Sequence, residues 1–267
     1  MAIGSRRDTE EKIEGTYVVH PDRKTSRMKP LKAMSHFRKL IADKEDTEQV
    51  FHIIQSLSGK TLIRDLKRFA ATPEGAQRIK ERRYLQPILD DHDTILKTPA
   101  GSVGHAYVEF MRSQGLSSQG LIDEYERFGK TQNEHDDLIQ WYSNRLRDTH
   151  DLLHILTGYS RDALGETCVL ATSYSQHFSP GVIFISVMGG FEIRKYAPKD
   201  CSVMGAVFEG KRNGKHAQSI VTQDIPALLA EPLDAARKRM GFVTPVKYNR
   251  VHTACYAAGI DPYLVIS

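Results

Sequence analysis

The chain has 267 residues, 40% of them hydrophobic, 8% aromatic and 26% charged, a globular composition that excludes collagen-like, disordered and low-complexity readings. Lys and Arg number 37 against 33 Asp and Glu, and the resulting +4 is too weak by itself to predict a nucleic-acid partner. Cys168, Cys201 and Cys255 form no CxxC pair, so neither a cysteine zinc site nor a disulfide framework is expected.

The N-terminal MAIGSRRDTEEKIEG has no apolar stretch of the secretory kind, and its four acids argue against a transit peptide. The basic run from His20 to Leu40 carries Arg23, Lys24, Arg27, Lys29, Lys32, Arg38 and Lys39 against Asp22 alone. Residues 1–45 therefore read as a basic, partly flexible arm. It is either solvated or held on an anionic membrane surface at ~1 kcal/mol per cation. Residues 46–267 read as a single helical domain: mainly α, multi-helix, with an apolar inter-helix pocket.

In chain order, Asp46 or Thr47 caps a helix running through Val50, Phe51, Ile54, Leu57 and Leu62. Thr72 and Pro73 start another. Gly104 to Gln114 forms the next, closed by Leu116-Ser117-Ser118. A long helix is expected from about Asn133 to Thr157, stopping at Gly158, and a further one after Ser160, which is placed to cap it. Gly181 to Gly190 reads equally as a buried helix or a strand, and Asp200 to Lys211 is ambiguous. Ala217 to Met240 is mostly helical. The longest apolar stretch, Val182 to Met188, falls well short of the roughly 20 residues of a membrane-spanning helix.

The segment RDTHDLLH, Arg147 to His154, carries the chemistry. His150 and His154 are i, i+4 on a helix, a spacing at which two imidazoles share one metal. Counting 100° per residue from Leu138, the apolar stripe holds Leu138, Trp141, Tyr142, Leu146, Leu152, Leu153 and Leu156. His150, Asp151 and His154 occupy an arc that begins at the edge of that stripe, so a metal there is half sheltered. The tight turn at Gly158 then brings Glu166, on the following helix, opposite the His pair. The predicted ligand set is His150, Asp151, His154 and Glu166. Nitrogen and oxygen donors in that number suit Zn²⁺, and equally Fe²⁺ or Mn²⁺.

The bland alternatives are an incidental His pair, a solvated Asp151, and a Glu166 paired only with Arg161 or Arg147. His-Asp also occurs at His92-Asp93 and His135-Asp136, but neither has a His four residues on. An HExxH protease is disfavoured because Asp151 stands where that motif has Glu.

The stretch RDTHDLLHILTGYSRDALGE resembles the signature of the coenzyme Q (ubiquinone) biosynthesis protein 4 family, HDxxH followed after eleven residues by Glu. TPEGAQRIKERR at Thr72 to Arg83, GSVGHAYVEFMRSQGLSS at Gly101 to Ser118 and LLAEPLDAARKRMGF at Leu228 to Phe242 are similar to further family segments. The resemblance spans roughly Asp65 to Phe242. It implies a mainly helical protein, peripheral to the membrane where ubiquinone is made: the cytoplasmic face of the inner membrane in a bacterium, the matrix side of the mitochondrial inner membrane in a eukaryote. It also implies partners: a polyprenylated benzoate or quinone precursor, other ubiquinone-biosynthesis proteins, and a second copy of the chain in a homodimer. The implied activity is removal of the ring C1 carboxylate of a polyprenylated 4-hydroxy-3-methoxybenzoate, with hydroxyl in its place. His150, Asp151, His154 and Glu166 are then both metal ligands and catalytic residues. The competing expectation is a non-catalytic lipid-binding scaffold with a structural metal. No nucleic acid is expected.

Overall fold

Polar caps and prolines divide the chain into short helices. The computed structural model describes residues 11–23, 27–43, 46, 48–113 and 135–265. An antiparallel pair of two-residue strands, β1 (Lys12–Ile13) and β2 (Thr16–Tyr17), is the one sheet among the described residues. The first half then holds α1 (Pro30–Ala42), α2 (Glu48–Ser58), α3 (Thr61–Ala70), α4 (Pro73–Glu81), α5 (Gln86–Asp90), α6 (His92–Ile95) and α7 (Val103–Ser113). The second half holds α8 (Leu138–Asp148), α9 (His150–Thr157), α10 (Ala163–Gln176), α11 (Pro180–Ile193) and α12 (Val203–His216). It closes with α13 (Ile225–Ala230), α14 (Leu233–Met240) and α15 (Val246–Ala257). The mainly α, multi-helix class expected from the sequence is the one observed.

The helix starts follow local chemistry. Thr72 Oγ1 accepts from Gly75 N at 3.0 Å, with Pro73 in the first helical position of α4. Asp137 caps α8 through Gln140 N at 2.9 Å, and Ser179 caps α11 ahead of Pro180.

Several boundaries differ from the sequence reading. The run from Val50 to Leu62 divides into α2 and α3 at Gly59 and Lys60. The long helix expected from Asn133 begins, within the described residues, at Leu138 and breaks at Thr149. There ψ is −1°, against about −42° in a regular helix, and the Thr149 hydroxyl takes the Arg145 carbonyl at 2.8 Å. The next helix is capped by Asp162 rather than Ser160. Asp162 Oδ1 accepts from Leu164 N and Gly165 N, both at 3.1 Å, while the Ser160 N–H is turned toward the Tyr248 hydroxyl. Gly181 to Gly190 is helical, inside α11, and most of Asp200 to Lys211 lies in α12. The closing turn at Leu116 to Ser118 lies outside the described residues, as do Lys24 and Thr47.

α10 is central and packs against both α11 and α12. The main core collects Phe69, Tyr107, Trp141, Tyr142, Leu152, Leu153, Leu156 and Leu164. Every member of the stripe counted from Leu138 is buried except Leu146, which packs half-buried against the same core. A smaller cluster of Ala33, Phe37, Leu40, Ile53, Leu57 and Ile185 joins α1, α2 and α11. Val18 and Val19 are buried, and Arg23 makes a two-pronged ion pair with the buried Asp137, at 2.7 and 2.9 Å. No described helix is long and apolar enough to cross a membrane.

Candidate metal centre

α9 is only eight residues long, and both of its histidines face the start of α10. His150 opens the helix and His154 lies one turn on, so their side chains stack along one face. Gly158 ends α9 with φ +77°, a left-handed conformation that glycine adopts without strain, and turns the chain toward α10. The Asp162 cap then fixes where α10 begins, which puts Glu166 in its first turn, fourth in the helix. A carboxylate is favoured there by the helix dipole.

The result is three donor atoms in a near-equilateral triangle. His150 Nε2 and His154 Nε2 are 3.3 Å apart, and Glu166 Oε2 is 3.3 Å from the first and 3.4 Å from the second. A tetrahedron of ligands around an ion at 2.0–2.1 Å has edges of about 3.3–3.4 Å, so these residues match three vertices of such a set. They are the one group of three or more His, Cys, Asp or Glu side chains among the described residues that comes together in this way. The donor chemistry, two imidazoles and a carboxylate, fits a borderline divalent cation.

The surroundings orient two of the three donors, His154 and Glu166. His154 Nδ1 is 3.0 Å from the Tyr159 carbonyl oxygen, which can only accept, so Nδ1 carries the hydrogen and Nε2 presents its lone pair to the triangle. Phe110 of α7 stacks on the His154 ring, with centroids 5.5 Å apart. Glu166 divides its oxygens: Oε2 faces the histidines, and Oε1 lies 3.5 Å from the Arg161 guanidinium. The His154 side chain is fully buried, whereas His150 and Glu166 are 28% and 33% exposed, so the triangle is open on their side. Burial would lower the pKa of His154, but Glu166, Asp151 and the Tyr159 carbonyl outweigh it and hold the imidazole above its ordinary range. Burial would likewise raise Glu166, and the two imidazoles outweigh it, keeping the carboxyl well below the usual value.

Of the four residues expected from the sequence, His150, His154 and Glu166 converge. Asp151 is not part of the triangle; its charge reaches His154 from outside it. The half-sheltered position read from the helical count describes the triangle as a whole: His154 is enclosed, while His150 and Glu166 leave one side open. No local sequence pattern marks the Tyr159 carbonyl, Phe110 or Asp162 for these roles, and Arg161 is visible in the sequence only as a rival partner for Glu166. For Phe110 the signal was present in the GSVGHAYVEFM segment, but nothing local tied it to His154.

The family profile described as "Coenzyme Q (ubiquinone) biosynthesis protein Coq4" matches residues 24–246, beyond both ends of the Asp65–Phe242 resemblance. The chain belongs to the Coq4 family. Coq4 homologues from rat and human are similar to it: the mitochondrial rat protein is 25% identical over 181 residues, 66% of this chain and 63% of its own length. The human one is 24% identical over 173 residues, 65% of this chain and 62% of its own. The match thus spans less than two thirds of these Coq4 relatives. A solved structure of a protein assigned to ubiquinone biosynthesis in Nostoc punctiforme superposes with a TM-score of 0.62 at 21% identity, covering 80% of this chain and 99% of that one. That likeness shows a shared fold. The two imidazoles and the carboxylate of the triangle come from the HDxxH and Glu positions on which the resemblance rested.

Proposed function

We propose that this Coq4 chain is a metal-dependent enzyme of ubiquinone synthesis that removes the C1 carboxylate from a polyprenylated 4-hydroxy-3-methoxybenzoate and leaves hydroxyl in its place. The observation that carries the reading is the triangle of His150 Nε2, His154 Nε2 and Glu166 Oε2, three donors at tetrahedral spacing with one side open. A structural site would more often be closed by a fourth protein ligand.

A bound divalent cation, Zn²⁺ or else Fe²⁺ or Mn²⁺, would act there as a Lewis acid for the substrate carboxylate. The chain's own residues do the rest. His154, enclosed and fixed by the Tyr159 carbonyl, and His150 hold the ligand geometry. Glu166 joins them across the Gly158 turn, and Arg161 holds its outer oxygen. Arg161 is half-buried at the same opening and is placed to steer an incoming carboxylate. Asp151 lies outside the ligand set, and its negative charge near His154 favours a cation at the triangle. The reaction breaks the bond from C1 to the carboxyl carbon and releases CO₂, and it forms a new C1–O bond; with dioxygen as the two-electron oxidant it balances as carboxylated ring plus O₂ plus H₂O giving hydroxylated ring plus CO₂ plus H₂O₂.

Work at a membrane surface is supported by α1 and the residues just before it: Arg27, Lys29, Lys32, Arg38 and Lys39 are exposed, and Leu31 is 88% exposed. The location is the matrix side of the inner membrane in a mitochondrion, or the cytoplasmic face in a bacterium, beside other enzymes of the pathway.

The test is to supply the carboxylated precursor to purified, metal-loaded protein under air and follow CO₂ and the hydroxylated ring by mass spectrometry. Product with wild type and none with a folded Glu166→Gln variant supports the enzyme. Stoichiometric metal with no turnover, in a protein whose melting temperature falls when the metal is stripped, would support the scaffold with a structural metal.

A further inference from the structure

We propose that the chain has a second ligand site, at the opposite end of α10 from the His150–His154–Glu166 triangle, that binds an anionic head group carried on an aromatic or other apolar body. Glu166 and His177 bracket α10 and lie about 16 Å apart along its axis, so the two sites do not share residues.

The site is a cavity of about 430 Å³ between α3, α8, α12 and the end of α10. That volume lies within the range of small-molecule sites. Its walls are aromatic: Phe69 is buried, Tyr174 and Phe178 stand with ring centroids 5.5 Å apart, and Phe178 is 45% exposed at the edge. Such a surface accepts a planar or hydrocarbon body.

Its floor is polar but closed on itself. The Tyr142 hydroxyl donates to Asp65 Oδ2 at 2.7 Å, so its oxygen is left to accept from His177 Nδ1 at 3.2 Å. His177 Nε2 is then the acceptor for the Ser219 hydroxyl at 3.1 Å. Asp65, Tyr142 and His177 are all buried, and this chain of hydrogen bonds satisfies the Asp65 carboxylate from within. The negative charge at the floor is therefore already partnered.

The remaining charged groups of the lining are all positive. Arg68, Lys211 and Lys215 come from α3 and α12, and none has a carboxylate partner among the described residues. Lys211 Nζ sits 5.6 Å from the Tyr174 ring centroid, leaning over the aromatic wall. Three cations converging on an aromatic cavity form a field that favours an anion and selects against cations. A phosphate and a carboxylate share this chemistry, and the measurement separates them.

The experiment is isothermal titration of the purified full chain with phenyl phosphate, benzoate and inorganic phosphate, repeated with K211E/K215E and with His150→Ala. Both substituted lysines are exposed, so the folded state tolerates the change; circular dichroism verifies it. The expected result is binding of phenyl phosphate near or below about 1 mM, weakened at least tenfold by K211E/K215E and unaltered by His150→Ala. Tighter binding of benzoate than of phenyl phosphate supports the site and assigns a carboxylate head. Inorganic phosphate binding as tightly as phenyl phosphate overturns the aromatic part. Equal affinity in K211E/K215E, loss of binding in His150→Ala, or no binding of any of the three overturns the site. Because His150→Ala disables the metal triangle alone, failure of this site and failure of the proposed decarboxylation remain distinguishable.

Discussion

His154 donates its Nδ1 hydrogen to the Tyr159 carbonyl at 3.0 Å, and the two residues lie on either side of the Gly158 turn. The turn that ends α9 therefore also sets the tautomer of its buried histidine. Nε2 is left with a free lone pair, 3.3 Å from its counterpart on His150. His154→Ala removes a nitrogen donor and leaves the other two ligands as a weaker pair. Elemental analysis should find close to one equivalent of metal in wild type and little in the variant. Equal metal in both proteins would discard the triangle as a metal centre.

Glu166→Gln keeps the shape and removes the charge that faces both imidazoles. With a catalytic ion, the variant stays folded and loses product formation by two or more orders of magnitude, about 3 kcal/mol or more of barrier. With a structural ion, its melting temperature drops and activity falls only as the fold is lost. Thermal melts and product assays on one preparation separate the two outcomes.

Two of the three converging donors were legible because they are local. His150 and His154 lie within one helix, so their i, i+4 geometry does not depend on the break at Thr149. Glu166 was legible because one turn and one cap separate it from the pair. Naming Ser160 as that cap missed by two residues: both side chains are capable, and only the distant Tyr248 hydroxyl, which takes the Ser160 N–H, decides between them. Asp151 sits between the histidines in sequence, but its carboxylate is not among the three donors that come together. The contacts of His154 with Phe110, and of His177 with Asp65 and Ser219, join parts of the chain more than 40 residues apart. No local spacing encodes such contacts, because packing determines them.

Asp162 serves two structures at once. Oδ1 caps α10, while Oδ2 accepts the Tyr248 hydroxyl at 2.5 Å inside the core. Asp162→Ala loses the cap, about 1 kcal/mol, and orphans a buried hydroxyl, about 1–3 kcal/mol. Urea unfolding should show a loss of about 2–4 kcal/mol. Because the cap sets the position of Glu166, metal content at limiting metal should fall too. Asp162→Asn keeps a capping oxygen and should recover part of the stability. A stability change within about 0.5 kcal/mol for Asp162→Ala would reject this account.

The close approach of α10 and α12 depends on Gly214, where an added Cβ would lie 2.4 Å from the Thr172 carbonyl oxygen. That oxygen belongs to the backbone of the facing helix and cannot rotate away. Gly214→Ala should therefore destabilise by well over the ~1 kcal/mol that glycine's helix propensity would return. Gly214→Ala lines no part of the metal triangle, so residual folded protein should keep its metal. A variant as stable as wild type would show that the two helices separate at little cost.

Membrane association should respond to charge and to one apolar side chain independently. In α1, Ala33, Phe37 and Leu40 are buried against α2 and α11, so they are not available to lipid. Arg23 is engaged with Asp137. What faces outward is Leu31 with Lys29 and Lys32 beside it, and Met28, 48% exposed, just before them. Co-sedimentation with anionic vesicles should weaken steeply between 0.05 and 0.5 M salt, because exposed charges are screened over about 10 Å at 0.1 M and less above it. K29E/K32E should lower the partition coefficient at low salt by tenfold or more, at about 1 kcal/mol per charge removed. Leu31→Ser should lower it by an amount that salt does not alter, up to about 1.5–3 kcal/mol for a fully buried leucine. Binding that ignores salt while responding to Leu31→Ser would make the apolar side chain the anchor and reject the basic run. Binding unchanged by either substitution would place the contact surface away from α1.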